Sequence, residues 1–458
     1  MKERMLRLQQ VQLNNFKNVR QGQIDFNSYK SEDFFSEASD VLGIYGQNGS
    51  GKTAFIEALW ILKLVLLGES LPGDIKDYIY QGEKEAAINA VFSMSLGENK
   101  YQLFYEMVIE RRENAAPVII KEDLSYKKLE EDGWTYKRGI ITHDLDDKDQ
   151  LLTPQKNYNL LTKNNKDAKV DLKVAKELAK KDETSFVFSS EMDHIYKGNK
   201  AFNEFADIIM EIKQYARMNL FVIRNSRSGM INVNLIIPFC FQLSDSKMIE
   251  GGDLAIALSE PTTVPERVLS TVKNVIENLN IVLKEIIPDL TIKIKEYGEE
   301  LDENGDPVIK IELLAERGEI KISLRYESDG IKKIISILSA MIAMYNKPGI
   351  CLAVDELDAG IFEYLLGEIL EIIQDRAKGQ LVFTSHNLRP LEKLNKESLI
   401  FTTTNPKNRY IRFTNVKETN NLRSFYYREI KLGGQDEEVY KKTEKHRIAK
   451  AFRTDQTQ

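Results

Sequence analysis

Gly46-Gln47-Asn48-Gly49-Ser50-Gly51-Lys52-Thr53 is the stretch on which the reading of this chain turns. Its spacing is G-x-x-x-x-G-K-[ST]. It lies between the apolar run Val41-Leu42-Gly43-Ile44-Tyr45 and a helical pattern of Phe55, Ile56, Leu59, Trp60, Leu62 and Leu66. A strand, a glycine-rich loop and a helix in that order are what a phosphate-cradling Walker A loop requires. Glycines let the backbone wrap closely round a polyphosphate, while the loop N–H groups and the helix N-terminus supply partial positive charge. Lys52 is then placed for the β- and γ-phosphates and the Thr53 hydroxyl for Mg²⁺. The expectation is that residues 46–53 bind ATP.

Far downstream, the apolar run Ile350-Cys351-Leu352-Ala353-Val354 ends in Asp355-Glu356. Paired with the glycine-rich loop, this has the form of a Walker B strand, with Asp355 holding the metal shell and Glu356 polarising an attacking water. An acidic pair at a strand end also arises where a strand simply meets solvent. Leu381-Val382-Phe383-Thr384 is a second short apolar strand, and it delivers His386, one of only four histidines. An imidazole there is placed to donate to a γ-phosphate or to orient Glu356; a solvent-facing loop histidine is the plain alternative. Between the two ends of the site, Ser328-Asp329-Gly330 precedes a helical pattern from Ile331, which suits a phosphate-binding cap and equally an ordinary helix N-cap.

Working outward, Leu6, Leu8, Val11, Leu13, Phe16, Ile24 and Phe26 alternate as in paired strands. Segments 87–96 and 101–109 read as two more strands joined by a turn at Gly97-Glu98-Asn99, which predicts an antiparallel lobe. Residues 111–270 are the least legible part, with a lysine-rich helical segment over 163–182. An amphipathic helix is predicted over 271–287, strands over 290–297, 308–314 and 319–326, and helices over 331–344 and 361–373. The predicted fold is α/β, a P-loop NTPase head of ABC type with an antiparallel β lobe and a mixed helical insertion. The expected divisions are 1–110 for the first half of the head, 111–289 for a mostly helical insertion, 290–400 for the second half, and 401–458 for a capping or partner-binding tail.

Composition narrows the function classes. Hydrophobic residues at 42% and charged residues at 29% match a soluble globular protein. With 64 basic and 70 acidic residues the net charge is −6, which gives no overall footprint for nucleic acid and leaves only a local patch for DNA. The most apolar stretch, 54–67, is broken by Glu57 and Lys63 and is shorter than the roughly 18–20 residues of a bilayer span. No membrane association and a cytoplasmic location are therefore expected. Cys240 and Cys351 each lie in apolar runs and read as small buried hydrophobes.

These motifs resemble the ABC-type ATPases of the SMC, RecF and OLD (overcoming lysogenization defect) superfamily, especially the compact bacterial ATPases labelled AAA in defence loci. Besides the motifs above, Leu13-Asn14-Asn15-Phe16-Lys17-Asn18-Val19 resembles the opening strand and turn of that superfamily. The resemblance makes Ser328-Asp329-Gly330 a reduced signature motif, Asp358 a D-loop residue, His386 the switch histidine, and Gln81 in Tyr80-Gln81-Gly82-Glu83 a Q-loop residue near the metal. A surface turn explains Gln81 equally well. In that family two heads sandwich two ATP molecules, each held by one head's P-loop and the other's signature serine. The resemblance thus implies an ATPase that uses ATP and Mg²⁺ and self-associates as a dimer or higher oligomer.

Two departures refine this. The insertion carries no heptad repeat, which disfavours a long-armed SMC or repair role, and the stretch after residue 400 is too short for a Toprim nuclease domain. The resemblance then implies control of a separately encoded toxin or nuclease effector in anti-phage defence, with a RecF/SMC-like DNA-binding repair ATPase as the alternative.

Overall fold

The protein is described here from a computed structural model, which covers the chain except residues 1–3, 31–33, 113–114, 148, 163–166, 198, 226–235, 245–248, 259, 303, 415, 418–420 and 454–458. The strand after which the glycine-rich loop begins, Asp40–Tyr45, is buried along its whole length. It lies inside a six-stranded sheet ordered Tyr410–Ile411, Leu399–Thr402, Asp40–Tyr45, Gln380–Thr384, Cys351–Val354 and Leu220–Ile223. All neighbours pair in parallel except the edge strand Tyr410–Ile411. Parallel strands covered on both faces read as continuous apolar runs, which is why Val41 to Tyr45 and Ile350 to Val354 stand out in the sequence.

The two faces of this sheet belong to two cores. Leu42, Ile44, Ala353 and Val382 face one way, against the helix Lys52–Leu67 and the antiparallel sheet. Val41, Tyr45, Leu352, Val354 and Phe383 face the other, against helices Glu266–Ile286, Asp329–Asn346 and Glu363–Arg376. The antiparallel sheet runs in the order Val19–Asp25, Arg4–Phe16, Glu85–Leu96, Asn99–Glu110, Val118–Glu130 and Gly133–Trp134, with Arg138–Asp144 also paired to Val118–Glu130. Because Lys52–Leu67 is enclosed between two sheets, ten of its residues are buried and the helix is apolar nearly all round. The fold is thus the α/β arrangement with an antiparallel lobe that the sequence predicts.

The expected divisions are crossed in three places. The antiparallel lobe continues past residue 110 to Asp144, since Val118–Glu130 supplies its next strand. The insertion supplies an edge strand of the central sheet, Leu220–Ile223, beside Cys351–Val354. The boundary at 400 cuts the strand Leu399–Thr402, so the head runs into the tail. For the last two the cause is length: a four-residue apolar run has no measurable period, and pairing partners distant in the chain leave no local mark.

Elsewhere the insertion does contain helices, Gln155–Thr162, Ala168–Asp182, Ser190–Lys197 and Asn203–Met218. Residues 319–326 form the short strand Ile320–Ser323 and a 3₁₀ turn, Leu324–Tyr326, in place of one strand. Cys351 is buried, as expected, while the side chain of Cys240 lies outside the described residues. Among the described residues no helix is long and apolar enough to cross a membrane.

Candidate functional site

Residues 46–51 connect the buried strand to the helix, and Gly46, Gly49 and Gly51 have φ of 155°, 74° and 99°. A Cβ on Gly46 would stand 1.7 Å from the Thr402 hydroxyl oxygen, so close backbone approach demands glycine there. Lys52 folds back over the loop, its Nζ donating to the carbonyls of Gly46 at 2.8 Å and Gln47 at 3.1 Å. Burial pulls the Lys52 ammonium below the ordinary lysine range, opposed by the charges of Asp355 and then Glu356.

The acidic pair meets the loop through Thr384. Asp355 Oδ1 accepts from Thr384 Oγ1 at 2.6 Å and from Thr53 Oγ1 at 3.3 Å. Asp355 is fully buried, yet its Oδ2 has no hydrogen-bond partner among the described residues. A buried carboxylate oxygen without a partner is costly. A hydroxyl and a carboxylate converging on one point suit a hard divalent cation, so Thr53 and Asp355 fit Mg²⁺. Glu356 follows at φ 49°, its N–H donating to Thr384 Oγ1 at 2.8 Å. The two carboxylates are therefore treated differently: one is buried against the loop, the other is half-exposed at the cleft.

That cleft has a volume of about 800 Å³, and Asn48, Gly49, Gly51, Lys52, Thr53, Gln81, Glu356, Thr384 and His386 are among the residues lining it. His386 is exposed at the rim. Its main-chain N–H and that of Asn387 donate to Asp358 Oδ2 at 3.1 and 2.9 Å, so Asp358 ties the acidic turn to the histidine loop. Ser328, Gly330 and Asp358 do not line this cleft. Ser328 is exposed at the start of helix Asp329–Asn346, where its Oγ accepts from the Ile331 N–H at 3.4 Å. Gly330 is pressed against the acidic turn: a Cβ on it would come within 1.8 Å of the Gly360 carbonyl oxygen. Gly330→Ala is expected to destabilise the protein by about 1–3 kcal/mol through this backbone clash, read as a lower urea midpoint; an unchanged midpoint would show that the contact is loose.

Several site residues carry no role in the sequence reading. Thr384 is legible only as a strand end, and Asn18, whose side chain donates to the Gly49 carbonyl, only as part of the opening turn. Lys17, paired with Glu57, and Arg111, which donates to the Ile79 carbonyl at 2.7 Å, add two cations to the cleft wall. Tyr410 OH donates to the Gly51 carbonyl at 2.8 Å and buttresses the loop from the edge strand. The tail reaches the loop as well. Gln47 Oε1 accepts from the Lys441 N–H at 3.0 Å, and Gln47 Nε2 donates to the Lys441 carbonyl at 3.4 Å.

Residues 6–389 match the family described as an AAA ATPase domain. No curated protein matches the chain. Among solved structures, an Smc head bound to the C-winged helix domain of ScpA is similar at 14% identity and TM-score 0.42, over 89% of this chain and 98% of that one. An Smc head domain with an extended coiled coil bound to the C-terminal domain of ScpA, derived from Pyrococcus furiosus, is similar at 12% identity and TM-score 0.40, over 90% and 97% of the two chains. The SMC head domain from Thermotoga maritima is similar at 14% identity and TM-score 0.32, over 89% and 99%.

Proposed function

The chain belongs to the AAA ATPase domain family, and on that premise we propose that it is a cytoplasmic enzyme that binds ATP with Mg²⁺, hydrolyses it, and associates through nucleotide held between two heads. The observation that carries this reading is the convergence of Thr53 and Thr384 on Asp355, which leaves a buried carboxylate oxygen unpartnered beside the lysine-bearing loop. The loop N–H groups and Lys52 hold the polyphosphate, while Thr53 and Asp355 hold the metal, with Gln81 across the cleft. Mg²⁺ supplies neutralisation of the charge on the β- and γ-phosphates. Glu356 orients the attacking water and accepts its proton, and His386 donates a hydrogen bond to the γ-phosphate.

Ser328 supports the two-headed arrangement because it is exposed, caps a helix N-terminus, and stands away from its own chain's cleft. Ser328, Gly330 and Asp358 then serve the nucleotide of a second copy. Ser328→Arg is expected to leave nucleotide affinity of the single chain within about twofold while removing ATP-dependent association, since a bulky cation would replace a small phosphate donor. Light scattering with and without ATP checks this, and undiminished assembly would retire the assignment.

The same proposal extends to control of a separately encoded toxin or nuclease effector in anti-phage defence, a role motivated by the family resemblance. Co-purification with the product of a neighbouring gene, dependent on ATP, tests that extension. DNA affinity with a steep salt slope would instead favour a repair role.

A further inference from the structure

We infer that Lys333 is a positioning residue for Glu356: it holds the glutamate's backbone in the conformation that presents the carboxylate to the cleft, and it joins that conformation to the helix headed by Ser328. The inference rests on the reading of Glu356 as the catalytic carboxylate.

Lys333 lies in the first turns of helix Asp329–Asn346 and is 4% exposed. An ammonium group withdrawn from water needs a specific partner. Lys333 Nζ finds it in the main-chain carbonyl of Glu356. Glu356 is one of few non-glycine residues at positive φ, 49°, a region that penalises any residue with a Cβ. Such a conformation persists only where its surroundings over-determine it. Here they do, from both sides: the Glu356 N–H donates to Thr384 Oγ1 at 2.8 Å, and its carbonyl accepts from the Ala359 N–H at 3.0 Å as well as from Lys333. With both main-chain groups engaged, the side chain is the part of Glu356 left to face the cleft, which it lines.

A second contact reinforces the linkage. Gly330, one turn before Lys333, packs directly on Gly360 at the end of the same acidic turn. The start of the helix and residues 355–360 are thus held together at two points. Ser328 is exposed on that helix start, so occupation of Ser328 by a second copy's nucleotide bears on Glu356 of the same chain through Lys333. Lys333 itself does not line the cleft, so its loss should spare nucleotide binding.

The test is Lys333→Met, which keeps the apolar stem and removes the ammonium, set beside Lys333→Arg and Glu356→Gln. Lys333→Met is expected to lower kcat roughly 10- to 100-fold, the scale of a displaced catalytic group, while KM and fluorescent-ATP affinity stay within about twofold. In ATP it should accumulate the associated state in light scattering, as a hydrolysis-deficient protein does. Lys333→Arg should recover most of the rate, and Lys333→Met should add no further loss to Glu356→Gln. If Lys333→Met does not fold, Lys333→Gln, with a shorter neutral donor, is expected to show the same loss of kcat at retained affinity. Wild-type kcat in the Lys333 variants with a slow Glu356→Gln would overturn the positioning role, as would an additive loss in the double variant. Wild-type turnover by Glu356→Gln itself would instead remove the reading of Glu356.

Discussion

Lys52→Ala is expected to weaken ATP binding by roughly two to three orders of magnitude. In the structure the Lys52 ammonium is bound to two main-chain carbonyls of its own loop, at 2.8 and 3.1 Å, and burial lowers its proton affinity. It is a cation held on neutral dipoles, ready to exchange them for phosphate oxygens. Each charge-assisted hydrogen bond is worth about 1.5–3 kcal/mol, and two of them amount to a factor of about 100 or more in affinity. Neighbouring Lys17 and Arg111 also line the cleft and retain part of the attraction, so the loss is large without being complete. Titration calorimetry with ATP and Mg²⁺ reads the change directly. Unchanged affinity would mean that the polyphosphate binds somewhere other than residues 46–53.

Glu356→Gln is expected to lower kcat by roughly 10²- to 10⁴-fold, the range associated with removing a positioned general base, while ATP affinity is retained. The substitution preserves volume and the same backbone, which Thr384 and Lys333 fix through main-chain groups that glutamine shares. What disappears is the ability to take a proton from water. Bound ATP should then persist, and the associated state it holds together should accumulate. Single-turnover phosphate release measures the chemical step, and light scattering the assembly. Hydrolysis at the wild-type rate would exclude Glu356 as the base and point to another group on the cleft.

The contrast between Asp355 and Glu356 shows why adjacent carboxylates can take different roles. Asp355 completes the strand Cys351–Val354, whose alternation turns its side chain inward to Thr53 and Thr384. Glu356 is the first residue of the turn, at φ 49°, and its side chain faces the cleft. In the sequence they stand together after an apolar run, and the Walker B form alone distinguishes their roles. Strand periodicity accounts for the first and backbone conformation for the second, and only the former can be read without coordinates.

The tail illustrates the same limit. The tail over 401–458 is read from sequence only as capping or partner-binding, with no statement of what it covers. In the structure helix Leu422–Leu432 buries Phe425 and Tyr426 in the second core, and Lys441 meets Gln47 of the loop through two main-chain hydrogen bonds. Main-chain partners of this kind leave no residue-type signature, because any amino acid but proline offers the same N–H.

The local order of the chain determined by itself that there would be a glycine-rich turn between a buried strand and a helix, with Lys52 and Thr53 at its end, because close backbone approach and phosphate charge restrict which residues can stand there. It also marked two short apolar strands, one ending in Asp355-Glu356 and one leading to His386, since strands covered on both faces must be apolar throughout. Tertiary structure alone decided that these strands lie side by side, that Leu220–Ile223 completes their sheet, that Ser328 stands outside its own cleft, and that a buried lysine holds the backbone of Glu356. Those outcomes depend on pairing and main-chain contacts between segments tens to hundreds of residues apart, and such contacts constrain geometry far more than they constrain composition.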